Sequence, residues 1–514
     1  MSSLRQRKGR KYLFALAVIV GINLAFGVSA VFQYPLFDMA DELFHFDYVY
    51  RFSEGKGLIN IYEDPIQDKV FDLAVDVGHW RKEGLPTPPE KGVVTPEFTE
   101  SIQRWGWYPS DITGGSSYEG VQPPLYYAVA GSFAKLVEPM AWKAYAARLV
   151  TLMFSILAGL ATYFLMLRIS GKQFVALGTM LFLTVLPAWR FESFRINNGM
   201  ASIFLILASV LLFFYLKDRQ SETNLQWVLI LAVVVGVASL SRLNAALVIF
   251  PVLFACYAVL SKESLSLKIR SYALILAVTA GFAGWFYIRN LLLYGDPSGG
   301  YAIINAIYID PDLDVAPNIF AAFAAIFRFA SYFVFSPSLQ MYDQNILLAA
   351  GYLWLTALAI SLSRVVFDVH PPLRSRAEFI LPLVFVAVWV FISGASNYYL
   401  LLLVIPLYIM SVPRKNVQRV KPHQISEISL LFYFSIVPVG IAAAYFLTFI
   451  GPISERYLLA AAPFGVGFLL YSIQSCLHPS TRKIYLIGIC FLIIFAGIAH
   501  QFNQIAWLLQ NLAS

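Results

Sequence analysis

The chain is 514 residues long, 59% hydrophobic and only 13% charged, with a mean hydropathy of +0.68. A soluble surface cannot carry so much apolar side chain, so a soluble enzyme is excluded. The net charge of +7 does not indicate nucleic acid, because Lys and Arg are spread over short connectors between apolar runs instead of gathering on one face.

A bilayer core needs about 20 apolar residues per helix, and such runs recur from Tyr12 to the C-terminus. They are continuous, not alternating, which suits helices and not a membrane barrel. About thirteen spans are expected, at 12–31, 145–167, 173–188, 199–216, 226–240, 244–260, 271–288, 347–363, 379–393, 398–411, 428–449, 457–474 and 484–505. The N-terminal RQRKGRK and the connectors that alternate with it hold most of the 37 lysines and arginines. The positive-inside rule therefore places the N-terminus in the cytoplasm. The alternation works if Pro123 to Val137 and Ile319 to Phe335 lie in the interface without crossing. Val28-Ser29-Ala30 vaguely matches a cleavage site, but the apolar stretch before it is long, so an uncleaved anchor is expected.

Five regions follow: residues 1–31 as cytoplasmic N-terminus and first span, 32–144 as first extracytoplasmic loop, 145–288 as transmembrane helices, 289–346 as second extracytoplasmic loop, and 347–514 as C-terminal transmembrane helices. The stretch from Phe32 to Gln122 carries more than half of the 30 acidic residues and is too long for a mere connector. The three cysteines, Cys256, Cys476 and Cys490, lie in or beside apolar runs, so no disulfide scaffold, metal knuckle or cysteine nucleophile is indicated.

The first loop opens on Asp38-Met-Ala-Asp41-Glu42-Leu-Phe-His45. A helix beginning at Asp38 would place its four polar residues on one face. Crowded carboxylates raise one another's pKa, which brings one of them towards the range of a general base. Asp38 as a helix cap, with acids favourably placed at the positive end of the dipole, explains the same spacing equally well. Oxygen and imidazole ligands at this spacing also permit a divalent cation held by Asp38, Asp41 and His45. A histidine hydrogen-bonded beside acids is the other reading. Downstream, Glu119 and Gln122 open the segment that leads through two prolines to Tyr126 and Tyr127. Outer turns add Asn198, Arg289, Arg456 and Tyr457. Arginine at the outer face suits bidentate binding of a lipid phosphate, or simple snorkelling to the interface.

In these residues the chain resembles the GT-C superfamily of lipid-carrier-dependent glycosyltransferases, particularly the bacterial branch similar to protein O-mannosyltransferases and the lipid A aminoarabinose transferase. The points of similarity are Asp41-Glu42 after the first span, Gln122-Pro-Pro-Leu-Tyr-Tyr127, Asn197-Asn198, Arg289-Asn290 with Tyr294-Gly295-Asp296-Pro297, and Arg456-Tyr457, in that order along the chain. The resemblance implies an all-α polytopic membrane protein of about thirteen helices, with interfacial helices in the first and a middle outer loop. It implies that Asp41, with Glu42 beside it, serves as base on an acceptor hydroxyl that attacks a polyprenyl-phosphate sugar with inversion, while Arg289 and Arg456 hold the phosphate. Asp38, His45, Glu119, Gln122, Asn198 and Tyr457 complete the expected substrate contacts. Gln122 stands where the aminoarabinose transferases carry a phosphate-binding lysine, and Gly199 where some relatives have an aspartate, so donor contacts cannot be copied wholesale.

The expected partners are a polyprenyl-phosphate sugar donor, a cell-envelope acceptor and the lipid bilayer, with no nucleic acid. The expected location is the plasma membrane with the catalytic loop outside. A transporter or flippase for a lipid-linked anion predicts charges deep within spans, and these spans hold almost none. A polysaccharide polymerase or ligase using a diphosphate-linked donor is the remaining alternative.

Overall fold

The computed structural model describes residues 2–37, 41–77, 117–218, 225–246 and 265–299, with a few residues between 462 and 470. Among the described residues the secondary structure is helical and contains no strand. The expected spans from 347 onward, apart from those few residues, lie outside this set, as do the interfacial stretch 319–335 and most of 244–260.

Among the described residues three helices are long and apolar enough to cross a membrane. Helix α1 spans Ser2–Gln33, and its apolar part begins at Lys11. After it come α2 (Glu42–Ser53), α3 (Asp68–Asp76) and α4 (Leu125–Ala134). Helix α5 covers Met140–Ser170, followed by α6 (Gln173–Val185), α7 (Pro187–Phe194) and α8 (Gly199–Asp218). Helices α9 (Leu225–Ser239) and α10 (Leu243–Ala246) precede α11, which runs Leu265–Tyr294 through a π-helical segment at Ala280–Gly284.

Burial sorts these helices into centre and rim. In the most apolar window of α5, 67% is buried, against 28% for both α1 and α11, so α5 is the axis of the described bundle. It packs against α8, α6, α4 and α1, while α11 packs on α9. The apolar side chains left outside, Leu13, Phe14 and Leu24 on α1 and Leu276, Ile288 and Leu292 on α11, are what a helix facing lipid tails presents.

The expected span 173–188 is divided in the structure. Leu186 is extended (φ −66, ψ 121) before Pro187, which opens α7 at its first turn. A residue preceding proline is pushed out of the helical region, and proline lacks the N–H that a helix interior needs. Helix α4 is ten residues long and rises about 15 Å, half the thickness of a hydrocarbon core.

The helix expected from Asp38 begins instead at Glu42. Asp41 precedes it with φ 70 and ψ −12, in the left-handed region, so Asp41 and His45 do not share a helical face as their spacing suggested. Leu43, Phe46 and Tyr50 are all buried within the protein. Helix α2 lies close on α4 because residue 131 is glycine: a Cβ there would stand 2.6 Å from Phe52 Cβ and 2.9 Å from the Val49 carbonyl oxygen.

Candidate active site

Several chain segments converge at one end of the bundle, where α1 ends, α2 begins, α5 begins and the α7–α8 turn lies. The pin that joins them is an ion pair. Arg148 on α5 donates from Nε to Glu42 Oε1 and from Nη2 to Glu42 Oε2, each at 2.7 Å, and both side chains have 0% exposure. The remaining guanidinium donors reach the carbonyl of Val31 in the last turn of α1 and those of Tyr34 and Pro35 just beyond it. Glu42 also accepts the backbone N–H groups of Phe37 and Ile196. With four hydrogen bonds its carboxylate is saturated, which leaves it no free lone pair to take a substrate proton.

Asp41 differs from its neighbour in burial and in partners. It is half-buried, and its side chain makes no bond to the first turn of α2. Its Oδ1 accepts a hydrogen bond from the Tyr118 hydroxyl. Tyr118 opens the short 3-10 turn Tyr118–Val121, with its ring 4.4 Å from that of Phe44.

One turn into α2, His45 Nδ1 lies 2.8 Å from the Tyr127 hydroxyl and 3.5 Å from Glu119 Oε2. The Tyr127 hydroxyl also donates to Glu119 at 3.4 Å. All three side chains are buried. Burial first and the nearby Glu119 carboxylate second push the Tyr127 phenol well above its ordinary pKa, so it stays a proton donor. Tyr48, stacked on Tyr127 at 4.1 Å, is likewise raised by burial, with Arg289 opposing. Its hydroxyl is buried with no hydrogen-bond partner among the described residues.

Gln122 Oε1 accepts from Asn198 Nδ2 at 3.3 Å, linking the loop to the start of α8. Asn198 Oδ1 is buried and has no partner among the described residues. On α11, Arg289 donates from Nη1 to Asn290 Oδ1 at 3.0 Å and from Nη2 to the Ile59 carbonyl. Its guanidinium lies 5.9 Å from the Phe286 ring centroid and 5.8 Å from that of Tyr294. Among the described residues no carboxylate pairs with Arg289. Asn290 in turn donates to the Val121 carbonyl at 3.1 Å, so the segment holding Glu119 and Gln122 is tied to α11.

The other buried acids of the first loop are structural. Asp47 accepts from Arg51 Nε at 3.1 Å and from the Gln67 N–H at 2.8 Å. Burial pushes its carboxyl up, and Arg51 pulls it back. Arg195 pairs with Glu192 at 2.7 Å, which removes it from the free cations.

Asp41, Glu42, His45, Glu119, Gln122, Asn198 and Arg289 are thus placed around one end of the bundle. Asp38, Arg456 and Tyr457 lie outside the described residues. Among the described residues no three of His, Cys, Asp and Glu converge as a metal site, and His45 Nδ1 faces Tyr127 and Glu119 instead of an aspartate. Sequence reasoning missed Arg148, Tyr48 and the buried Arg242, whose Nη1 stands 2.9 Å from where a Gly199 Cβ would be, and it read Tyr118 only as part of an anchoring segment. Only Arg148 carried a visible signal, as a charge inside an expected span.

A family model described as dolichyl-phosphate-mannose-protein mannosyltransferase matches residues 107–309, under half of the chain. The match bears out the resemblance to lipid-carrier-dependent glycosyltransferases. It spans Tyr118, Glu119, Gln122, Asn198 and Arg289. No curated protein matches the chain. A crystal structure of ArnT from Cupriavidus metallidurans bound to undecaprenyl phosphate is similar at 11% identity and a TM-score of 0.35, over 89% of this chain and 77% of that one. An overlap so loose carries no residue correspondences.

Proposed function

We propose that the chain is a membrane glycosyltransferase that moves a sugar from a polyprenyl-phosphate donor to a hydroxyl of a cell-envelope glycan, lipid or protein at the extracytoplasmic face. The observation that carries this reading is the family match over residues 107–309, the region that supplies the partner of Asp41 and the cation Arg289.

Asp41 is the base. The acceptor oxygen attacks the anomeric carbon while its proton passes to the Asp41 carboxylate. The carbon–oxygen bond to phosphate breaks with inversion, and the phosphate departs on its lipid. Arg289 has the chemistry to neutralise that leaving group, since a planar guanidinium binds phosphate bidentately and is more easily dehydrated than an ammonium. A donor tethered by its lipid at the membrane surface arrives already oriented, which lowers the entropic cost of the encounter. Glu42 holds the loop on which Asp41 sits.

The test is transfer by the purified full-length protein in lipid nanodiscs, offered sugars on prenyl monophosphate and on prenyl diphosphate. Consumption of a monophosphate donor, with Asp41→Asn slowing transfer about 10²–10⁴-fold and leaving thermal unfolding unchanged, is the expected result. Exclusive use of diphosphate donors, or full activity in Asp41→Asn, would overturn it.

A further inference from the structure

We infer that Tyr118 is the residue that aims the Asp41 carboxylate, a positioning role that rests on Asp41 acting as base. Three observations meet at this pair. Asp41 adopts φ 70, a left-handed conformation uncommon for a residue with a Cβ, though aspartate takes it more readily than most, and non-glycine residues held there gather at functional sites. An aspartate directly before a helix ordinarily turns its side chain onto the N–H groups of the first turn, and Asp41 does not. Its Oδ1 receives the Tyr118 phenol instead, from a residue 77 positions further along the chain.

The phenol is itself held firmly. Tyr118 is 6% exposed, its ring rests on Phe44 of α2, and the turn that it opens is fixed from two sides. A Cβ on Gly120 would stand 2.7 Å from Ile59 Cβ, so only glycine lets the two strands of loop approach this closely. Val121 is bound through its carbonyl to Asn290 of α11. The direction of the Tyr118 hydroxyl is therefore set by α2 and α11 together. A hydrogen bond on Oδ1 fixes the plane of the Asp41 carboxylate and so the direction of the Oδ2 lone pairs, which is the geometry that a proton acceptor needs.

Among the described residues the other titratable groups beside Asp41 are Glu42, bonded to Arg148, and His45 and Glu119, joined through Tyr127. The Glu42–Arg148 and His45–Tyr127–Glu119 bonds do not pass through the Tyr118 hydroxyl, so the pH profile of Tyr118→Phe is read against Asp41.

The experiment compares steady-state transfer by wild type and Tyr118→Phe over a range of pH. The expected result is a kcat lower by about tenfold or more, a donor KM within about twofold, and an acid limb moved to higher pH because the charged carboxylate has lost a donor. Replacement of Tyr118 by 2,3-difluorotyrosine keeps the shape and strengthens the donor, and should move the acid limb to lower pH even where Tyr118→Phe fails to fold. Unchanged kcat and pH profile in these variants, or a loss confined to donor KM, would overturn the role of Tyr118 while Asp41→Asn remained inactive. Full activity of Asp41→Asn would instead remove the base on which the inference stands.

Discussion

At the scale of single residues, Asp41 and Glu42 are chemically alike and adjacent in sequence, yet the fold gives them opposite tasks. Glu42 is wholly buried against Arg148, and breaking a buried pair leaves the surviving charge uncompensated at a cost of about 3–5 kcal/mol. Glu42→Gln is therefore expected to lower stability by about that amount, with Arg148 stranded among the carbonyls of residues 31, 34 and 35. Asp41→Asn, by contrast, should lose transfer and keep its fold. Denaturation in mixed detergent micelles measures the first, and transfer assays the second. A Glu42→Gln protein as stable as wild type would refute the structural role. The acidic patch itself was legible in the sequence, but its division of labour was not. Arg148 lies 106 positions from Glu42 and Tyr118 lies 77 from Asp41, and no local spacing carries information about partners so distant. The helix expected from Asp38 begins later for a local reason: Asp41 sits in the left-handed region, which interrupts a helix and which spacing alone does not reveal.

At the scale of elements, the hydrophobic runs did specify the helices. The expected spans 12–31, 145–167, 199–216 and 226–240 fall within or nearly upon α1, α5, α8 and α9. What the runs could not specify is how closely elements approach. The contact of α2 with α4 depends on Gly131, above which lie Phe52 and the backbone of Val49. Backbone cannot yield as a flexible side-chain tip can, so Gly131→Ala should separate the two helices. Overpacking of this kind costs about 1–3 kcal/mol. Because α2 carries His45 and α4 carries Tyr127, the separation should also break the His45–Tyr127–Glu119 contacts and reduce transfer. Thermal unfolding and transfer rate measured on the same preparation check both effects, and an unaffected variant would mean that α2 and α4 are free to slide. The π-helical segment Ala280–Gly284 sits one turn before Arg289. Such bulges rotate the helix beyond them and recur near functional residues, and a hydropathy profile has no means of registering one.

At the scale of the molecule, the polar constellation and the basic connectors occupy opposite ends of the described bundle. Glu42, Arg148, Ile196, Gln122 and Asn198 are linked by hydrogen bonds at one end. A helix pair joined by a short turn runs back on itself, so Arg168 and Lys172 at the α5–α6 turn must lie at the other, together with the basic N-terminal stretch that precedes the apolar part of α1. By the positive-inside rule the polar end is expected outside the cytoplasm, as the proposed function requires. A cell-impermeant maleimide tests this orientation in intact cells carrying single cysteines in a background with Cys256, Cys476 and Cys490 replaced. Cysteine at Glu63, which is exposed in the first loop, should react before lysis. Cysteine at Lys172 should react only after the membrane is permeabilised. The reverse pattern would place Asp41 in the cytoplasm, where a donor carried to the outer leaflet could not reach it, and would overturn the function proposed for this chain together with its topology.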